Sequence, residues 1–322
     1  MTGGTRGGAQ GAGGPVVLFL AGLGRSGTTL LERAVGETPG VVALGEVVHL
    51  WHRGLLGDEL CGCREPFSRC PFWREVGERA FGGWEAVDAR EVLRLRARVD
   101  RTRFVPELAG RAPSRRLRAD VAAYTSSYRR LYEAAAEVAG AEVVVDSSKH
   151  TSLAFCLRHD PAVRLRVVQC VRDSRGVAHS WARQVQRPEA RGGADLMTRY
   201  GPVRAAVMWD AHNLALELLA RRGVPVHRLR YEDFLRAPRD AVQELLTLAG
   251  ASGRPDHVGA SAVHLSPAHT VAGNPMRFLT GTVELRHDVA WRSQMPVADR
   301  RVVEALTAPL LAHYRYPVRG GR

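Results

Sequence analysis

The chain has 322 residues, a net charge of +13, 45% hydrophobic and 25% charged residues, which is ordinary globular composition and excludes disorder for most of its length. No apolar run approaches the ~20 residues of a membrane-spanning helix, and the first apolar run lacks a basic leader or a cleavage site, so no membrane association is expected. Five cysteines, an odd number in a long chain, argue against a disulfide framework and for a reducing, cytoplasmic setting.

Residues 1–14 hold seven glycines and no large apolar side chain, and read as a flexible tail ahead of a single domain over 15–322. Pro15 to Ala21 is a continuous apolar run, the pattern of a strand buried on both faces. A glycine-rich turn follows, and Leu30, Leu31, Ala34 and Val35 give helical spacing before Pro39. Residues 46–141 are irregular or helical and read as an insertion. Its ten arginines between Arg90 and Arg118 lack regular aromatic spacing, which favours a solvated face over a nucleic-acid surface. Ala141 to Val145, Leu165 to Val171 and Val224 to Leu229 are further buried strands, the last preceded by a helical stretch from Ala205 to Arg222. Strands alternating with helices predict an α/β fold: a doubly wound parallel sheet flanked by helices, of the P-loop nucleotide-binding type.

In such sheets ligands sit beyond the carboxyl ends of the strands. Each predicted end carries polar residues: Arg25-Ser26-Gly27-Thr28-Thr29, Asp146-Ser147-Ser148-Lys149, Arg172-Asp173-Ser174-Arg175 and Tyr231-Glu232-Asp233. Four such ends on one edge point to an anion site. Lys149 is the only lysine among the 46 Lys and Arg residues, so the positive charge is largely an arginine bias, and the one lysine marks a place where a compact ammonium serves better than a guanidinium. Against the phosphate-loop pattern G-x-x-x-x-G-K-[ST], Gly22, Gly27 and Thr29 fit, but Thr28 stands where the lysine belongs. That departure disfavours a P-loop kinase, the second reading. A polyanion- or nucleic-acid-binding protein is the third.

Gly24-Arg25-Ser26-Gly27-Thr28-Thr29-Leu30-Leu31 resembles the 5′-phosphosulfate loop of sulfotransferases that use 3′-phosphoadenosine 5′-phosphosulfate (PAPS). Val171 to Trp181 resembles their 3′-phosphate motif, in which an arginine ends a strand and a serine lies on the next helix; Asp173, Val177 and Ser180 share one helical face. Asp146 to Lys149, Leu229 to Phe234 and the late loop from His269 to Phe278 extend the resemblance over most of the chain, nearest to bacterial and tyrosylprotein-like members. The resemblance implies that Ser26, Gly27, Thr28 and Thr29 hold the 5′ side, that Arg172 and Ser180 hold the 3′-phosphate, and that Tyr231 and Arg277 lie at the nucleotide. It implies Glu46, after Thr38-Pro39-Gly40-Val41, as the general base, with Lys149 and Arg25 neutralising the departing phosphate oxygen. The sulfuryl acceptor would be a small-molecule or carbohydrate hydroxyl, met by the insertion. The product would be adenosine 3′,5′-bisphosphate, with no nucleic acid, membrane or metal involved.

The remaining candidates read as structural. His49 and His179 have no evident catalytic partner, and Trp291 with Asp288 reads as packing. Cys61, Cys63 and Cys70 form C-x-C with a third cysteine, but no fourth ligand stands at zinc-site spacing, so a structural or pocket role is expected and no metal site.

Overall fold

The computed structural model describes residues 13–184 and 198–318, so the expected tail lies outside them except for Gly13 and Gly14. The first apolar run forms β1 (Val16–Ala21), with all six residues buried. It is the middle strand of a parallel five-stranded sheet with β2 (Val41–Ala43), β3 (Val143–Lys149), β4 (Arg164–Val171) and β5 (Val226–Arg230), in the order β2-β3-β1-β4-β5. The predicted doubly wound α/β sheet is the fold the chain adopts. β2 was not expected: three residues leave no readable period, and the strand exists because Val41, Val42 and Ala43 pair with Val143, Val144 and Val145.

Helices cover both faces. They are α1 (Thr28–Gly36), α2 (Pro71–Phe81), α3 (Ala89–Val99), α4 (Val105–Leu108), α5 (Arg115–Ala139), α6 (Thr151–Leu157), α7 (Ser174–Ala182), α8 (Pro202–Arg221), α9 (Tyr231–Arg236), α10 (Pro238–Ala249), α11 (Trp291–Gln294) and α12 (Val297–His313). The strand period of two divides the core. Val17, Phe19 and Ala21 join Trp51, Trp73, Tyr128 and the α5–α6 side, while Val16, Leu18 and Leu20 join Leu30, Leu31 and Val35 of α1 and Leu245 of α10. β6 (Ala262–Leu265) and β7 (Gly281–Glu284) form a separate antiparallel pair, also unexpected from sequence.

The insertion is tied to the sheet through α5. Tyr124, Tyr128 and Tyr132, one turn apart, are buried in a row. Tyr132 donates to Asp146 of β3 at 2.6 Å, and Tyr124 donates to the buried Asp100 at 3.0 Å, so each hydroxyl taken out of water keeps a partner. Among the described residues no helix is long and apolar enough to cross a membrane.

Candidate active site

The β1–α1 turn is built around Gly27, which precedes α1 with φ 82°. A Cβ there would lie 2.2 Å from the Tyr231 ring, so the loop closes only on glycine. The amide of Leu31 reaches back to the Gly27 carbonyl, which leaves the preceding amides of α1 aimed out of the helix end. No side chain caps that end. Beside it the Ser26 hydroxyl is buried without a protein partner, an arrangement that costs about 1–3 kcal/mol unless a ligand completes it. Donors of this kind at a helix start suit an oxyanion.

The second strand end closes on the first. Arg172, just after β4, donates from Nη1 to the Arg25 carbonyl at 3.0 Å and lies 4.9 Å above the Tyr231 ring. Arg25, at φ 77°, places its guanidinium 5.3 Å from the Trp181 ring, and the Trp181 indole donates to the Gly24 carbonyl at 2.9 Å. α7 is thereby clamped onto the loop, with Asp173 capping its start by accepting from the Arg175 amide at 3.0 Å. Ser180 sits near the end of α7, half-buried.

The third strand end carries a carboxylate–ammonium pair. Lys149 terminates β3 at φ 65°, and its ammonium donates to the Glu46 carboxylate. Gly45 (φ 85°) fixes the glutamate: a Cβ on it would meet the Val271 carbonyl at 2.3 Å, while the Glu46 amide donates to that carbonyl at 2.8 Å and the Ser147 amide to the Gly45 carbonyl at 2.9 Å. Burial works to raise the Glu46 carboxyl, but the Lys149 ammonium, with Arg53 and the His49 ring adding to it, holds the group below the ordinary carboxylate range. His49 has the partner that sequence did not reveal. Its Nε2 lies 3.6 Å from Glu46, and burial together with nearby cations pushes it down to about 3, so it stands as a neutral imidazole beside the carboxylate.

Other placements depart from expectation. Arg277 is buried and donates to the carbonyls of Thr270 at 2.8 Å and Leu60 at 2.7 Å, so its guanidinium braces the late loop from within. Asp288 does more than pack: it approaches Arg172 at 3.3 Å, so it competes for the cation assigned to the 3′-phosphate. The Tyr231 ring is a floor under Gly27 and Arg172. Glu32 is not among the residues the sequence points to; it is the one carboxylate of α1, a helix buried at eight of its nine positions. It accepts from the Gly45 amide at 2.5 Å and from the Ser147 hydroxyl at 2.7 Å, directly behind Glu46, and burial pushes it up to about 7. Finally, the ligand atoms of Cys61, Cys63, Cys70 and His269 all lie within 4.8 Å of one another. The fourth ligand missing from the local spacing comes from a segment far along the chain.

No family model and no curated protein matches this sequence. Among solved structures, it is similar to sulfotransferase STF1 from Mycobacterium tuberculosis at 18% identity and a TM-score of 0.39, over 75% of this chain and 68% of that one. It is also similar to a sulfotransferase from Alicyclobacillus acidocaldarius at 14% identity and a TM-score of 0.39, over 94% of this chain and 98% of that one. Likeness this distant decides nothing about the site, whose reading rests on its own residues. A cleft of about 770 Å³ opens in the insertion, lined by Gly54, Phe67, Arg74, Trp84 and Asp88 among others; no strand-end residue lines it.

Proposed function

We propose that the protein is a sulfotransferase that moves a sulfuryl group from PAPS to the hydroxyl of a small molecule or carbohydrate. The observation that carries this reading is the Glu46–Lys149 pair set at the β3 end, beside a β1–α1 loop whose buried Ser26 hydroxyl lacks a partner. Such a pair supplies the two groups that in-line transfer between oxygens requires, an acceptor for one proton and a cation for one leaving oxygen.

In this mechanism the acceptor oxygen attacks sulfur, the bond from sulfur to the bridging phosphate oxygen breaks, and the electron pair stays on the departing bisphosphate. Glu46 takes the hydroxyl proton. Lys149 turns from Glu46 to the departing oxygen as charge builds there. Glu46, no longer held down by the ammonium, gains proton affinity at the step that needs it. Ser26 to Thr29 and the α1 amides hold the 5′ side, and Arg172 with Ser180 holds the 3′-phosphate, which displaces Asp288. Glu32 acts behind them as a positioning residue for Gly45 and so for Glu46. The five free cysteines support a reducing, cytoplasmic setting.

The test is turnover. With PAPS and a panel of phenols, alcohols and sugars, mass spectrometry should find a sulfated product and adenosine 3′,5′-bisphosphate in equal amounts, and Glu46→Gln should cut that rate roughly 10²–10⁴-fold. Phosphoryl transfer from ATP with Mg²⁺, in place of sulfuryl transfer, would install the kinase reading instead.

A further inference from the structure

Cys61, Gly62, Cys63 and Arg64 form a tight turn, closed by the Arg64 amide donating to the Cys61 carbonyl at 2.8 Å and by the Cys61 amide donating to the Glu65 carbonyl at 2.8 Å. The turn brings two thiols to one point. Cys70, just ahead of α2, adds a third, with its Sγ 3.7 Å from that of Cys63. His269 reaches the same point from the late loop: its Nδ1 lies 3.2 Å from Cys70 Sγ and 4.0 Å from Cys61 Sγ. Its ring is held by stacking on Phe72, 5.1 Å between centroids and 11° between planes.

A zinc ion bound at about 2.3 Å to sulfur and 2.0–2.1 Å to nitrogen in tetrahedral geometry separates its ligand atoms by roughly 3.6–3.8 Å. The observed separations bracket that range. Backbone amides of Cys63, Glu65 and Trp73 are directed at the sulfurs of Cys61, Cys63 and Cys70 respectively, the outer-shell donors that a sulfur-ligated metal uses. Cys61 and Cys70 are wholly buried, so their sulfurs meet the other two ligands away from water.

We propose that Cys61, Cys63, Cys70 and His269 bind one structural zinc ion. Four protein ligands fill the coordination sphere, so the site is closed and takes no part in the transfer chemistry. Its work is mechanical. The metal staples the 61–70 turn of the insertion to the loop that carries Thr270 and Val271, and that junction is otherwise made by the Gly62 amide on the Thr270 carbonyl at 2.9 Å and by Arg277. Val271 in turn holds Glu46. Metal loss would therefore loosen the strap that positions the base.

The test is metal content of the purified full-length chain. Elemental analysis should find about one zinc per chain, as the four-ligand site requires, and a mercurial reagent should release it to a chromogenic chelator. Cys63→Ser and His269→Ala change half-buried positions; both should keep the secondary-structure signal while zinc falls to trace levels. Cobalt-exchanged parent protein should show thiolate-to-metal charge transfer and the intense visible bands of tetrahedral cobalt, which decides the matter even if the variants misfold. A folded, reduced parent that carries no zinc and takes up no cobalt overturns the proposal. So does full zinc in both variants, or an intact mass showing a Cys63–Cys70 disulfide.

Discussion

Glu32→Gln should make the protein more stable at alkaline pH and remove much of the pH dependence of its unfolding. The carboxyl is fully buried, and burial raises it from the ordinary 4.5 to about 7. Between those two values the folded chain binds a proton that the unfolded chain has released. The stabilising contribution is complete below about 4.5 and is lost as pH rises through about 7. At about 1.4 kcal/mol per pKa unit the full loss is about 3.5 kcal/mol. Glutamine keeps the shape of the site. Its oxygen can accept from the Gly45 amide, and its amide can donate to the Ser147 hydroxyl oxygen, the two partners that Glu32 now has. Urea unfolding of parent and variant, from about pH 5 to pH 8, should show the stability difference shifting by about 2.5 kcal/mol in favour of glutamine. Parallel stability curves would refute the reasoning, because they would mean that Glu32 titrates alike in both states.

Lys149→Arg keeps the charge, yet it should lower turnover roughly 10²–10³-fold while bisphosphate binding holds within a few fold, since a planar guanidinium cannot replace a compact ammonium at one bridging oxygen; equal losses in both would move Lys149 from chemistry to binding. Gly27→Ala drives a Cβ into the Tyr231 ring in a left-handed backbone, so thermal melts should show about 1–3 kcal/mol of lost stability, and bisphosphate should no longer raise the melting temperature. Asp288→Asn removes the carboxylate that competes for Arg172, so bisphosphate should bind more tightly at low salt; unchanged affinity would show that the 3.3 Å approach has no bearing on the ligand.

The sequence announced β1, β3 and β4 because each contains a buried apolar run bounded by turn or polar residues; β5, expected as a buried strand, is an edge strand in which only Leu229 is buried. The sequence also placed polar groups at their ends, since a parallel sheet leaves one edge for ligands. What it could not announce was anything decided by long-range geometry. β2 is three residues held by register with β3. The Glu46–Lys149 pair spans 103 positions and the Cys70–His269 contact spans 199, so no local spacing encodes either. Arg277 was legible as a cation in a loop that resembles the late loop of the sulfotransferases but not as a side chain turned inward onto carbonyls. His49 meets Glu46 only because a single 3₁₀ turn over Val47–His49 folds the two residues onto one side, and three residues leave no readable period in the sequence.

The most direct measurement is calorimetric titration of adenosine 3′,5′-bisphosphate and of AMP, without added Mg²⁺, into the parent protein and into Arg172→Ala. The bisphosphate should bind the parent much more tightly than AMP does. Loss of Arg172 should weaken the bisphosphate by about 2 kcal/mol or more, some 30-fold, and leave AMP nearly unchanged. Binding of ATP with Mg²⁺ but not of the bisphosphate, or an equal loss of both ligands in the variant, would contradict a site built for a 3′-phosphorylated sulfuryl donor.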